Sequence, residues 1–210
     1  MRITQKQDPS LTIASSAPII PSGQPVTLSG VLYEPGSTVT VEPSTQVTLY
    51  SKQAGGTRKV LTTTVTGPDG SYSFSESPVR NEVYRVGTKK PDRVTANLYE
   101  GVQDVVTMSA SAAGGMVGGA VSLSGTVTPD HTGHVVHLQL LGTDGYWHNV
   151  ATGVVANGST YSFTYTFGET GDIQLRAQIC GGPENVGGAA PAVTVVVSGV
   201  LPVASLPLAS

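Results

Sequence analysis

Residues 45–74, TQVTLYSKQAGGTRKVLTTTVTGPDGSYSF, have a second copy 89 positions further on, HVVHLQLLGTDGYWHNVATGVVANGSTYSF. Without a gap, Val47 falls on Val136, Leu49 on Leu138, Leu61 on Val150, Val65 on Val154, Tyr72 on Tyr161 and Phe74 on Phe163. Upstream, VTLSGV (26–31) matches VSLSGT (121–126) at a shift of 95, so the first copy carries six extra residues between its matched segments. Short alternating runs separated by turns, repeated over this length, are a domain duplication. The chain of 210 residues therefore divides into two domains of about a hundred residues, each large enough for a modest two-layer core.

The runs are strands. LTIAS (11–15) alternates apolar and polar. Pro18 and Pro21 bracket Ile19-Ile20, which suits an edge strand that switches sheets. Val26 and Leu28 face inward with Thr27 and Ser29 outward, because successive side chains in a strand point to opposite faces. Residues 33–45 are the insertion of the first copy, with a turn at Pro35-Gly36 and a short strand expected over TVTV (38–41). QVTLYSK, RKVLTTTV, SYSFSES and EVYRV follow, and the boundary falls near residues 101–104. The second half reads DVVTMSAS, a glycine-rich turn over 114–119, then VSLSGTV, HVVHLQLL, WHNVATGVV, TYSFTYTF, DIQLRAQI and AVTVVVS. Asp144-Gly145 and Asn157-Gly158 are hairpin turn pairs. No twelve-residue segment has a helical apolar stripe. The fold expected is all-β: two tandem immunoglobulin-like β-sandwiches in a rod, with an N-terminal arm 1–10, sandwiches over 11–103 and 104–198, and an apolar tail 199–210.

Charge narrows the function. Charged residues are 12% of the chain and the net charge is −3 with scattered signs, whereas a nucleic-acid surface needs clustered Lys and Arg. One cysteine, Cys180, excludes an intramolecular disulfide, so each domain rests on its apolar core. Residues 1–20 lack the apolar core of a secretory signal, and no run reaches the ~20 apolar residues of a membrane-spanning helix.

SGTVTPDHTGHVVHLQLLGTDGYWHNV, with GSTYSF, LRAQI and GGPENVGG after it, resembles the bacterial immunoglobulin-like repeats of actinobacterial secreted and cell-surface proteins. VTLSG, QVTLYSK, GPDGSYSF and VYRV resemble the domain that precedes such a repeat, and ANLYEGVQDVVTMSAS the joint between the two. Related domains also occur in phage structural proteins. The resemblance implies an extracellular or cell-surface habitat and carries no catalytic residue. It departs at Cys180, where these repeats usually have proline, and in the absence of a signal peptide.

His131, His134 and His137 are spaced H-x2-H-x2-H, with His148 beyond, but a zinc site needs three or four converging ligands. His137 points outward, opposite to its neighbours Val136 and Leu138, and only His131 and His134 can meet. No serine stands in G-x-S-x-G. Glu34, Glu42, Glu100 and Glu184 read as isolated residues of loops or joints, and Glu100 with Asp104 as a solvated joint too poor in oxygens for calcium. The glycine-rich stretch lacks the lysine of a phosphate loop. Asn157-Gly158-Ser159 is a glycosylation sequon in a tight turn. Tyr146 and Trp147 are candidates for a sugar or partner contact, with Trp147 alternatively capping its own core. Cys180 is a candidate free thiol in a loop. Leu201, Val203 and Leu206 are candidate anchors of a tail docked on a neighbouring subunit.

No catalytic residue, metal or cofactor is expected. The expectation is a structural module, a spacer, scaffold or adhesin, whose partners are proteins: itself, a cell-surface scaffold or a capsid. The alternative is a virion protein such as a capsid decoration or tail-associated protein. A carbohydrate-binding accessory module is a further alternative.

Overall fold

The structure, a computed structural model, describes residues 10–89 and 92–199. The described residues form strands and turns, and no helix among them is long and apolar enough to cross a membrane. The chain makes two compact units. Unit 1 is Met1–Asp104 together with Gly181–Val186; unit 2 is Val105–Cys180 together with Gly187–Ser210.

In unit 1 the strands are β1 (Ala14–Ser15), β2 (Ile19–Pro21), β3 (Val26–Val31), β4 (Gln46–Ser51), β5 (Lys59–Val65), β6 (Ser71–Glu76), β7 (Glu82–Lys89), β8 (Asp92–Val94) and β9 (Leu98–Gln103). They form one sheet ordered β1-β3-β6 and a second ordered β2-β9-β7-β4-β5, with β8 on β7. In unit 2 they are β10 (Val105–Val106), β11 (Ser109–Ala110), β12 (Gly114–Met116), β13 (Ala120–Thr128), β14 (Val135–Leu141), β15 (Trp147–Val154), β16 (Thr160–Thr166), β17 (Gly171–Ile179), β18 (Gly188–Ala189) and β19 (Val193–Ser198). Here β10, β11 and β16 pair with β13, opposed by β12-β19-β17-β14-β15 with β18 on β17. Both units are immunoglobulin-like sandwiches of one topology. In each, the first strand is split between the sheets: β1 pairs antiparallel with β3 while β2 pairs parallel with β9, and β12 pairs parallel with β19. The glycine-rich stretch is therefore strand β12 followed by a turn. Glycine is required at 115, where a Cβ would sit 2.6 Å from the Phe167 ring.

Alternation builds the cores. Leu28, Val47, Leu49, Tyr72, Phe74, Tyr84 and Val86 are buried in unit 1. Leu123, Val136, Leu138, Tyr161, Phe163, Leu175 and Val195 are buried in unit 2. Each such side chain contributes about 1.5–3 kcal/mol by leaving water. Two matched apolar pairs lie elsewhere: Leu61, Val65, Val150 and Val154 are exposed on the edge strands β5 and β15. A bulge is the reason for the first pair. Leu49 opposes Thr62 and Tyr50 opposes Val60, leaving Leu61 unpaired; Leu138 opposes Ala151 and Gln139 opposes Asn149, leaving Val150 unpaired. An extra residue in one strand breaks its inward–outward phase.

A tyrosine lock closes each sandwich in the same way. Thr12 donates its N–H to the Val31 carbonyl (3.1 Å), but its own carbonyl turns inward to accept the Tyr72 hydroxyl. The Val31 N–H then uses the Thr12 hydroxyl as acceptor at 2.9 Å. Unit 2 repeats every part: Thr107 N–H to Thr126 O (2.9 Å), Thr126 N–H to Thr107 Oγ1 (3.0 Å), and Tyr161 hydroxyl to Thr107 O. Gly30 opposes Tyr72 and Gly125 opposes Tyr161, and a Cβ on either would overlap the threonine carbonyl and lie 2.6 Å from the tyrosine oxygen. Burial raises the pKa of both phenols, which keeps them donors.

The insertion of unit 1 is pinned by a buried arginine. Arg93, 3% exposed, donates to Glu42 Oε2 at 2.5 Å and to the Tyr33 carbonyl at 2.6 Å. The expected strand over 38–41 is absent; Ser37 Oγ accepts from the Val39 and Thr40 N–H groups, and only Val41 bridges to Tyr33. Arg93→Met is expected to cost unit 1 about 2–4 kcal/mol, less than a fully buried pair because Glu42 is partly wet. Urea unfolding of the full chain measures it, and a loss under about 0.5 kcal/mol would assign the pinning to other contacts.

Gly181–Val186, which the sequence reading places inside the second sandwich, belongs to unit 1. Asn185, 2% exposed, donates to the carbonyls of Val79 (3.0 Å) and Val102 (3.2 Å). Asn81 N–H donates to Glu184 O (2.7 Å), Val186 N–H to Val102 O (2.8 Å) and Asp104 N–H to Val186 O (2.9 Å). Arg80 pairs with Glu184 at 3.1 Å.

Unit 1 also buries carboxylates. Glu82 opposes Glu100 across β7 and β9, and Glu100 is 0% exposed, with Oε2 accepting from the Ser15 hydroxyl at 2.6 Å. Glu100 and Asp104, expected at a solvated joint, are both buried. Register identifies what unit 2 has instead. Val86 faces Leu49 and Ala177 faces Leu138, so Glu82 corresponds to Ile173, and Glu100 to Val195 opposite it.

Candidate functional site

The outer face of the large sheet of unit 2 gathers polar side chains around the chain's one tryptophan. Val136 and Leu138 on β14, and Ile173, Leu175, Ala177 and Ile179 on β17, take the inward positions. His137 and Gln139, and Arg176 and Gln178, therefore project outward. Gln139 opposes both Asn149 and Arg176, and Leu141 opposes Trp147.

Gln139, 7% exposed, is the hub. Its Oε1 accepts from Arg176 Nε at 2.8 Å; its Nε2 donates to Asn149 Oδ1 at 2.9 Å and to Gln178 Oε1 at 2.8 Å. A guanidinium can only donate, so it fixes which end of the Gln139 amide faces it, and that orientation fixes the other two amides. The Arg176 guanidinium also lies over the Trp147 ring, 4.2 Å from its centroid. Both contacts hold it flat against the sheet. Trp147 is half-buried on this outer face, not a cap of the inner core; Tyr146 beside it is 71% exposed. His137 completes the row with a 3.2 Å contact to Thr152 Oγ1.

The other sequence candidates lie apart. The His131 and His134 rings meet at 4.6 Å, while His148 contacts Asp144 at 2.8 Å. The described residues contain no group of three His, Cys, Asp or Glu able to hold a metal. The bond from His148, then that from the Tyr146 N–H, holds the Asp144 carboxyl below its ordinary pKa. Cys180 is exposed. Ser159 of the sequon is buried, donating to Val127 O at 2.6 Å in a turn with Gly158 at φ 75°. Leu201, Val203 and Leu206 lie outside the described residues.

Unit 1 carries a counterpart of this face. By register Arg85 stands where Arg176 does, Tyr50 where Gln139 does, and Arg58 matches Trp147 in the repeat. Arg85 Nε donates to Thr95 O at 3.2 Å and Arg58 to Asn97 Oδ1 at 3.2 Å. Burial, and secondarily Arg85, lower the pKa of Arg58. Sequence reasoning singled out Trp147 but missed Arg176. The signal was present: Arg176 is the one Lys or Arg after Arg93, in a strand whose alternation points it outward.

No family model and no curated protein matches the chain. Several solved structures are similar to it. A tetra-tandem repeat from the extending region of a large adhesion protein shares 22% identity with a TM-score of 0.39, over 89% of this chain and 49% of that one. The D0-D1 domain of intimin shares 14% identity with a TM-score of 0.36, over 89% and 98% of the two chains. The Yersinia pseudotuberculosis adhesin InvE shares 13% identity with a TM-score of 0.38, over 89% and 58%. The chain spans about half the length of the first of these.

Proposed function

We propose that the chain is a non-enzymatic structural module of an extracellular or cell-surface assembly, serving as spacer, scaffold or adhesin. The observation that supports this reading is what the duplication keeps and what it varies. Both units keep the residues that make the sandwich: the Thr–Gly–Tyr lock, the bulge and the buried strand positions. They differ on the outer sheet face, where Tyr50 and Arg58 in one stand at the places of Gln139 and Trp147 in the other. A repeated scaffold with a changed surface suits extension and display, in which stability is supplied by the fold and contact by the surface.

Antibody raised against the purified chain tests the location. Labelling of intact source cells, abolished by protease treatment of those cells, is the expected result. Labelling only after lysis, or co-sedimentation of the chain with phage particles, would overturn it.

A further inference from the structure

We propose that the outer face of β14, β15 and β17 binds an acidic polysaccharide, with a uronic-acid carboxylate seated on Arg176 and the sugar chain lying along the row from Tyr146 and Trp147 to Gln178. The first observation is one of charge. Arg176 is the only Lys or Arg between Arg93 and the end of the chain, and among the described residues it forms no ion pair. The carboxylate on its own strand face, Asp172, stands opposite Val196 instead. A half-buried guanidinium held flat by an indole and an amide, yet left without an acid of its own, is complementary to an anion from outside.

The second observation is the direction of the hydrogen bonds. Gln139 gives its N–H groups to the oxygens of Asn149 and Gln178, so each of those oxygens already accepts one bond. The amino groups of Asn149 and Gln178 and the two terminal nitrogens of Arg176 are donors that this network does not use. The spare donors of this network therefore outnumber its spare acceptors, which favours a ligand rich in oxygen acceptors. A uronic-acid polymer brings carboxylate, ring and hydroxyl oxygens. The donors stand on β15 and β17, the strands on either side of β14 and so about 10 Å apart, and Trp147 at one end gives sugar rings an apolar surface to rest on.

The face is built before any ligand arrives, because Gln139 and Trp147 hold Arg176 in place and little order need be imposed on binding. This inference deepens the surface-module reading. Its assay uses purified chain, so its failure would leave the cellular location untouched.

Titration of the full chain with a galacturonic-acid decamer tests it, with dextran as the neutral polymer and poly-glutamate as the acidic peptide. Binding to the decamer alone, weakened by salt, is expected. Arg176→Gln should lower affinity at least about tenfold, as for loss of a charged hydrogen bond, and Arg176→Lys should not restore it, since an ammonium cannot reproduce the flat fork. Asn149→Ala, an exposed position, should lower affinity about threefold with an unchanged melting temperature, and it carries the test if the Arg176 variants do not fold. Absence of decamer binding, equal binding of dextran, binding of poly-glutamate as tight as the decamer, or wild-type affinity in both Arg176→Gln and Asn149→Ala would each overturn the proposal.

Discussion

Gly125→Ala is expected to destabilise unit 2 by about 3–5 kcal/mol, with a similar loss in unit 1 for Gly30→Ala. The added methyl has nowhere to go. It would overlap the Thr107 carbonyl and press on the Tyr161 oxygen at 2.6 Å. The obstructing atoms are backbone, tied to Thr126 by two hydrogen bonds at 2.9 and 3.0 Å, so relief requires the first strand to lift off the sheet. Lifting it also strands a buried phenol, itself worth about 1–3 kcal/mol. Gly118→Ala is the control: that glycine has φ 83° with open space around it, and its replacement should cost only about 1–2 kcal/mol of backbone strain. Equal losses at 118 and 125 in urea unfolding would mean that close approach is not what the glycine in LSG provides.

Glu100→Val should stabilise unit 1 by about 1–4 kcal/mol at pH 7, the range seen when a buried charge gives way to a well-packed apolar group. Val195 already fills the corresponding place in unit 2. The pH dependence follows from direction alone. Burial raises the Glu100 carboxyl above its ordinary value of 4.5, partly opposed by the Ser15 hydroxyl, and burial followed by Glu82 raises Glu76. Above pH 4.5 the unfolded chain has lost these protons while the folded chain keeps them, so stability falls as pH rises through the folded-state values. The urea midpoint of unit 1 should thus increase as pH is lowered from 7 towards 5, and Glu100→Val should flatten that slope. A valine variant that is less stable at pH 7 would show that the carboxylate is net stabilising where it stands.

Much of this architecture is readable in the residues, and the reasons for the remainder are specific. Alternation locates Leu49, Leu138, Phe74 and Phe163 in the cores because a one-residue slip would turn every side chain around. It fails at Leu61 and Val150 because a bulge resets the phase and no residue type announces it. The split first strand is announced by Pro18 and Pro21 in unit 1. In unit 2 the same strand is written in glycines and reads as a turn; the ring of Phe167, some fifty residues away, explains Gly115. Glu100 lies in LYEGVQ, whose inward positions are Leu98, Glu100 and Val102; its charge suggests a loop, and the pattern was the better guide. Trp147 stands out by rarity, as Arg176 does among the charges of the second half, but that the two meet is seen only when β14 brings Gln139 between β15 and β17. The destination of Gly181–Val186 has no local signal at all, since its bonds run to residues some hundred positions earlier.

That last segment sets an order in time. During synthesis the chain is made from its N-terminus, and domains generally fold as they emerge. The first sandwich has its strands in hand as soon as Gln103 leaves the ribosome, yet Asn185, which occupies the carbonyls of Val79 and Val102, is still untranslated. The first sandwich to begin folding is thus completed only when the second lacks little more than β18 and β19. A nascent chain stalled before residue 181 should hold it in a looser form, open to proteases that the completed protein resists.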